Sequence, residues 1–224
     1  MNISGTELDY RRLTTPRAAA IAGILFGALF TACLVLLRTA IPADPAASLE
    51  WLETGERRIT IALELVPFAG IAFLWFIGVV RDRLGRFEDQ FFSTVFFGSG
   101  LLFLAMVFIS SAIAGSLIVY HRAAIDIELE HEIIYFGRVM MIYFSNIFAL
   151  RMAGVFMLSL GTIWWRTGLM PRWLAILTYL LALILLLIIN LNLWITLVFP
   201  AWVMIISLVM LTLNLRRQTA GKAS

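Results

Sequence analysis

HEIIYFGRVMMIYFSNIFALRMAGVFMLSLGTIWWR, residues 131–166, decides how this chain reads. The run is apolar enough and long enough to cross a bilayer, yet it carries Arg138, Asn146 and Arg151. A charged side chain at bilayer depth costs about 2.5–3.5 kcal/mol on insertion scales, so such residues turn toward protein or water. The stretch therefore predicts a spanning helix enclosed within a bundle. Arg138 and Arg151 stand thirteen positions apart, roughly 220° around a helix. Either the helix is enclosed on both faces, or Arg138 stands above the lipid.

The rest of the chain agrees with a membrane bundle. Of its 224 residues 62% are hydrophobic and 14% charged, against about 45–50% apolar and about 25% charged in soluble domains. Apolar runs of spanning length recur throughout. The expectation is an all-α polytopic bundle of six helices over 17–37, 59–80, 92–120, 133–165, 172–189 and 193–213. Residues 1–16 form a polar leading segment, and 214–224 a basic tail. Basic residues lie at the ends of the runs and not in one patch, which speaks against nucleic acid. The lone Cys33 lies within the first run and excludes an intrachain disulfide.

Local signals refine this outline. Ala19, Gly23, Gly27 and Thr31 put small residues on one face of the first helix. Such a face admits either a neighbouring helix of the same chain or a second copy. After Pro42 and Pro45, SLEWLETGERR predicts a short helix at the membrane surface, with Leu49, Trp51 and Leu52 at the interface. Pro67 and Pro200 predict bends. Eleven of the seventeen basic residues fall on one side if the N-terminus is cytoplasmic, and four on the other. The positive-inside rule then places both ends in the cytoplasm.

Candidate functional residues follow from buried polarity. Counting helical rise from Arg81 and Arg166 places Glu64 and Arg151 at similar depths, which predicts an ion pair between them; Glu64 with Arg138 is the alternative. Ser110 and Ser111 of the third helix either bond back to their own backbone or line a polar route. His121 and His131 flank an acidic loop and are expected to be solvated. No phosphate loop, G-x-S-x-G, H-E-x-x-H or C-x-x-C occurs. The expectation is therefore a non-enzyme with neither metal nor cofactor.

Gly78, Asp82, Arg83, Gly85 and Arg86, in GVVRDRLGR, resemble the G-x-x-x-D-R-x-G-R loop of major facilitator transporters between their second and third spans. That resemblance implies a cytoplasmic conformational latch, although those transporters have two six-helix halves and this chain has one. ALELVPFAGIAFLWFIGVVRDRLG and ALRMAGVFMLS also resemble uncharacterised six-span bacterial membrane proteins, a likeness that implies no activity.

Two functions compete on this reading. The first is a small oligomeric ion channel or solute transporter in a bacterial cytoplasmic membrane, self-associating through the Gly23 and Gly27 face. In it Glu64, Arg138, Asn146, Arg151, Ser110 and Ser111 bind or gate a small ion or solute. The second is a non-transporting scaffold or subunit of a larger membrane complex. A wet interior reaching Glu64 distinguishes the first, and a dry bundle the second.

Overall fold

A computed structural model of the chain describes residues 4–42, 44, 47, 49–84, 90–123, 127–187 and 193–220; of 4–17, 82–84, 90, 127–128, 193 and 213–220 it describes only the backbone. All described regular structure is helical. The helices are α1 (Ser4–Ala40), α2 (Glu50–Thr54), α3 (Glu56–Leu84), α4 (Gln90–Ala123), α5 (Ile127–Ile142), α6 (Leu150–Thr167), α7 (Arg172–Leu187) and α8 (Val198–Ala220). A π-helical segment, Tyr143–Ala149, joins α5 to α6, and a 3-10 turn, Leu193–Leu197, leads into α8. The long run that opened the sequence reading is thus one continuous rod whose winding widens at its middle. It is the most deeply buried of the long apolar helices.

Among the described residues, five helical stretches are long and apolar enough to cross a membrane: Ala18–Ala40, Glu56–Arg81, Phe91–Ala123, Leu129–Thr167 and Trp194–Thr212. The sixth expected span, α7, has 16 residues, which is about 24 Å of helix against the roughly 30 Å of a hydrocarbon core. Large apolar side chains cover the outside. Phe68 is 61% exposed, Trp75 68%, Leu180 56% and Leu187 67%. So much outward apolar surface is costly in water and favourable in lipid. These long apolar helices are compatible with an integral membrane protein.

The interior is a mosaic of aromatic rings. Phe73 of α3 packs against Phe26 of α1, Phe103 of α4, Phe156 of α6 and Phe199 of α8, with centroids 4.5–5.7 Å apart. Phe199 also stands 4.6 Å from Phe103 and 5.7 Å from Phe156. Rings at these separations gain edge-to-face and offset contact beyond simple burial. Phe73, Phe156 and Phe199 are fully buried. Beside them, buried Thr178 donates to the Leu174 carbonyl and accepts from Trp202 Nε1 at 2.9 Å, so the polar atoms there are satisfied. The bundle axis is filled.

Small residues let α1 approach its neighbours within the chain. A Cβ added at Gly23 would lie 2.0 Å from Ser207 Oγ, and one at Gly27 would lie 3.2 Å from the Pro200 carbonyl. The small-residue face is therefore occupied by α8 and by Phe76 of α3. Of the two readings of that face, these contacts fit the neighbouring helix of the same chain. Pro200 stands in the first turn of α8, where its missing N–H costs nothing, and does not bend a helix middle. Pro67 lies inside α3, as expected.

A second apolar cluster sits at the end of the bundle that carries α2, called here the cap end. It joins Ala40, Ile41, Trp51, Leu52, Ile59, Ala114, Leu117, Ile118, Ile134 and Met141. Trp51 and Leu52 are buried, at 6% and 1% exposure. The sequence expectation that they face the membrane surface is corrected: α3, α4 and α5 rise far enough to receive them. At the opposite end Gly168 adopts φ 64°, and its N–H returns to the Trp164 carbonyl, closing α6.

Candidate functional site

Four buried polar side chains, Ser110, Glu130, Arg138 and Asn146, lie toward the cap end, where α1, α4, α5 and the π-helical segment meet. Arg138 is the largest of them. Its side chain is 1% exposed, and its guanidinium donates to the Pro42 carbonyl at 2.8 Å and the Asp44 carbonyl at 2.7 Å. It also lies 5.1 Å from the Trp51 ring centroid. One cation thus ties the 42–44 connection and α2 to the main rod. Both bonds leave the same Nη2, whose two N–H groups diverge to two carbonyl oxygens, while the flat guanidinium lies toward the Trp51 ring.

Arg38 and Asn146 form the second feature. Arg38 closes the apolar part of α1 and donates from Nη2 to Asn146 Oδ1 at 3.0 Å. Ser145 donates to the same oxygen at 2.9 Å. Asn146 is 7% exposed and sits at the centre of the π-helical segment. Local π winding inside α-helices recurs at functional sites, because it displaces side chains from ordinary α-helical register. Arg38 Nε and Asn146 Nδ2 are buried and meet no acceptor. Arg38 falls just past the 17–37 expected for the first helix, yet α1 runs on to Ala40. The available signal was that no helix-breaking residue separates Arg38 from the apolar run before it.

Register across the bundle places the expected pair. Leu63 lies beside Gly115, and Leu117 beside Gly137, so Glu64 is level with the region of Arg138. Gly100 lies between Ile77 and Phe156, which sets Arg151 level with about residue 104 of α4. Glu64 and Arg151 are thus separated along the bundle by about ten residues, some 15 Å. They form no ion pair, and Glu64 is exposed while Arg151 is half-buried. The depth count failed because its two anchors are not level: Arg81 stacks on Phe97, and Arg166 on Phe92, five residues lower on α4. Glu64 does not pair with Arg138 either, whose guanidinium turns to the 42–44 carbonyls. Arg151 has neither a hydrogen bond nor an ion pair among the described residues.

The two serines differ, and Ser110 follows neither expectation. Ser110 donates across to the Met141 carbonyl at 3.0 Å, joining α4 to α5 immediately before the π-helical segment. Ser111 bonds back to Val107 within its own helix at 2.8 Å. Of the histidines, His121 contacts Glu130 in an ion-pair geometry that clips α4 to α5, and His131 is exposed. Arg122 pairs with Glu56, and Arg58 donates to the Thr39 carbonyl at 2.9 Å. Among the described residues there is no group of histidine, cysteine and acidic side chains able to hold a metal. The side chains of Asp82 and Arg83, and all of Gly85 and Arg86, lie outside the described residues, and the loop resemblance lies there with them.

Chemically, this end offers fixed cations, amide and hydroxyl donors and backbone acceptors. Glu56 and Glu130 are engaged with Arg122 and His121, and Arg38 meets no carboxylate among the described residues. Comparison with protein-family models, with curated proteins and with solved structures finds no match to this chain.

Proposed function

We propose that the chain is a non-transporting integral membrane subunit or scaffold, whose buried polar residues hold one end of the bundle in shape. The supporting observation is the filled axis: Phe26, Phe73, Phe103, Phe156 and Phe199 meet ring to ring at its centre. Glu64, the acid expected to line a route, points outward instead. A permeating ion needs polar groups to replace its hydration shell, and this aromatic centre supplies none.

On this reading the chain crosses a bacterial cytoplasmic membrane with both ends inside, six crossings being completed by α7. The cap end is then external. Its arginines fix the α1–α2 connection against α5 and present a defined surface to whatever the bundle assembles with. The test is purified full-length protein in planar bilayers and in proteoliposomes, under gradients of several salts. Absence of discrete currents and of tracer flux is the expected result. Reproducible currents, or flux altered by Arg38→Gln, would reverse the assignment.

A channel or transporter is the second reading, favoured by one observation: Arg38 and Asn146 keep buried donors without acceptors beside a widened helical turn. In that case these two residues, with Arg151 deeper in the bundle, form the recognition site, and the aromatic centre is the closed gate.

A further inference from the structure

Asn146 is buried, and its amide oxygen is already used twice, by Arg38 and by Ser145. Its Nδ2 on the same amide is therefore fixed in direction and unpaired, and Nε of the adjoining Arg38 guanidinium is unpaired as well. Unpaired buried donors are rare in folded proteins, and each calls for an acceptor or a function. The charge of Arg38 meets no carboxylate among the described residues. Arg151, five positions further along the same rod, adds a second cation without a carboxylate. Two unpaired N–H groups on hydrogen-bonded neighbours, one of them a cation, fit one chemistry: an acceptor with negative charge and more than one oxygen.

We propose that Arg38 and Asn146 bind an oxyanion between α1 and the π-helical segment. Its oxygens accept from Arg38 Nε and Asn146 Nδ2, and Ser145 holds the amide so that Nδ2 stays turned toward them. The π winding is what places Ser145 and Asn146 on this seam together. Arg38 ends the apolar run of α1 at the cap end, a position within reach of lipid headgroups and of dissolved anions. The phosphate of an anionic lipid and a free phosphate share the required chemistry.

The test uses the full-length protein, delipidated in a neutral detergent, with unfolding followed by tryptophan fluorescence. Inorganic phosphate is titrated against chloride at equal ionic strength. In parallel, short-chain phosphatidylglycerol is titrated against an uncharged detergent. A saturating rise in the unfolding midpoint is expected with at least one of the two. A rise with phosphate identifies a free anion, and a rise with the lipid alone identifies a headgroup. Arg38→Gln is expected to weaken the response roughly tenfold or more, the factor that loss of a charge-assisted hydrogen bond carries.

Asn146→Asp supplies an internal anion to Arg38, and so is expected to abolish the response while the protein stays folded. It keeps the proposal testable if Arg38→Gln does not fold. No midpoint change with either ligand, or a response unaltered in Asn146→Asp, would overturn the site.

Discussion

Replacing Arg138 by methionine keeps the length and apolar stem of the side chain and removes its guanidinium. The native group donates to two carbonyls, at 2.8 and 2.7 Å, and faces Trp51 at 5.1 Å. Hydrogen bonds from a charged group contribute about 1.5–3 kcal/mol each, and a partly desolvated cation–π contact about 0.5–2 kcal/mol. Against this stands the cost of burying the cation, several kcal/mol, which methionine does not incur. The net loss is about 2–4 kcal/mol, because the Pro42 and Asp44 carbonyls are left without their donor. For a chain of this size that is a fall of roughly 5–15 °C in the unfolding midpoint. Arg138→Lys keeps the charge and enough N–H groups for both carbonyls but loses the reach and flat face of the guanidinium, and is expected to lose about half as much. The assay is thermal unfolding in detergent, with hydrogen exchange over residues 38–58. The exchange is the sharper readout, since the damage begins at the cap and the aromatic core is untouched. An unchanged midpoint together with unchanged protection at Trp51 and Leu52 would refute the view that Arg138 ties the cap to the rod.

Gly23→Ala places a methyl 2.0 Å from Ser207 Oγ and 2.9 Å from a Phe76 ring carbon; overpacking of this kind costs about 1–3 kcal/mol, seen as a lower unfolding midpoint. Ser207 Oγ is buried without a partner, so Ser207→Ala is expected to be neutral or stabilising, and the double variant to be less damaged than Gly23→Ala alone. Equal loss in the single Gly23→Ala and the double variant would show that Ser207 is not the obstacle. Thr178→Val leaves Trp202 Nε1 without its acceptor and is expected to cost about 1–3 kcal/mol, with a shift in buried tryptophan emission. Glu64→Gln is expected to leave stability within about 0.5 kcal/mol, because the side chain is exposed and unpaired; a large loss would mean that it is covered in the working protein.

The all-helical bundle was legible because apolar runs of spanning length leave few alternatives, and the enclosed position of residues 131–166 followed from the cost of charge in lipid. Asn146 and Arg138 were legible as buried polar residues for the same reason. Their partners were not. Arg38, Pro42, Asp44 and Trp51 lie about a hundred positions away in sequence, and Pro42 and Asp44 take their hydrogen bonds on backbone carbonyls, which every residue possesses. The π winding at Tyr143–Ala149 has no marker in composition, yet it alters which side chains face α1. The Glu64–Arg151 expectation failed on a different ground. Counting rise per residue gives position along one helix, but the offset between helices depends on packing, such as the Arg81–Phe97 and Arg166–Phe92 contacts. The burial of Trp51 was missed because the ends of α3, α4 and α5 complete a core that twenty loop residues cannot build alone.

The claim most in need of direct test is that the bundle axis is dry. In a Cys33→Ala background, single cysteines at Ala72 and Ala153, both buried, would be challenged with a membrane-impermeant maleimide in native membranes, with Glu53→Cys on the exposed side of α2 as the control. The filled aromatic core predicts no labelling at 72 or 153 under conditions that label position 53. Labelling at either buried position, from one side of the membrane and suppressed by an anion or other solute, would contradict it and place a water-filled route through the centre.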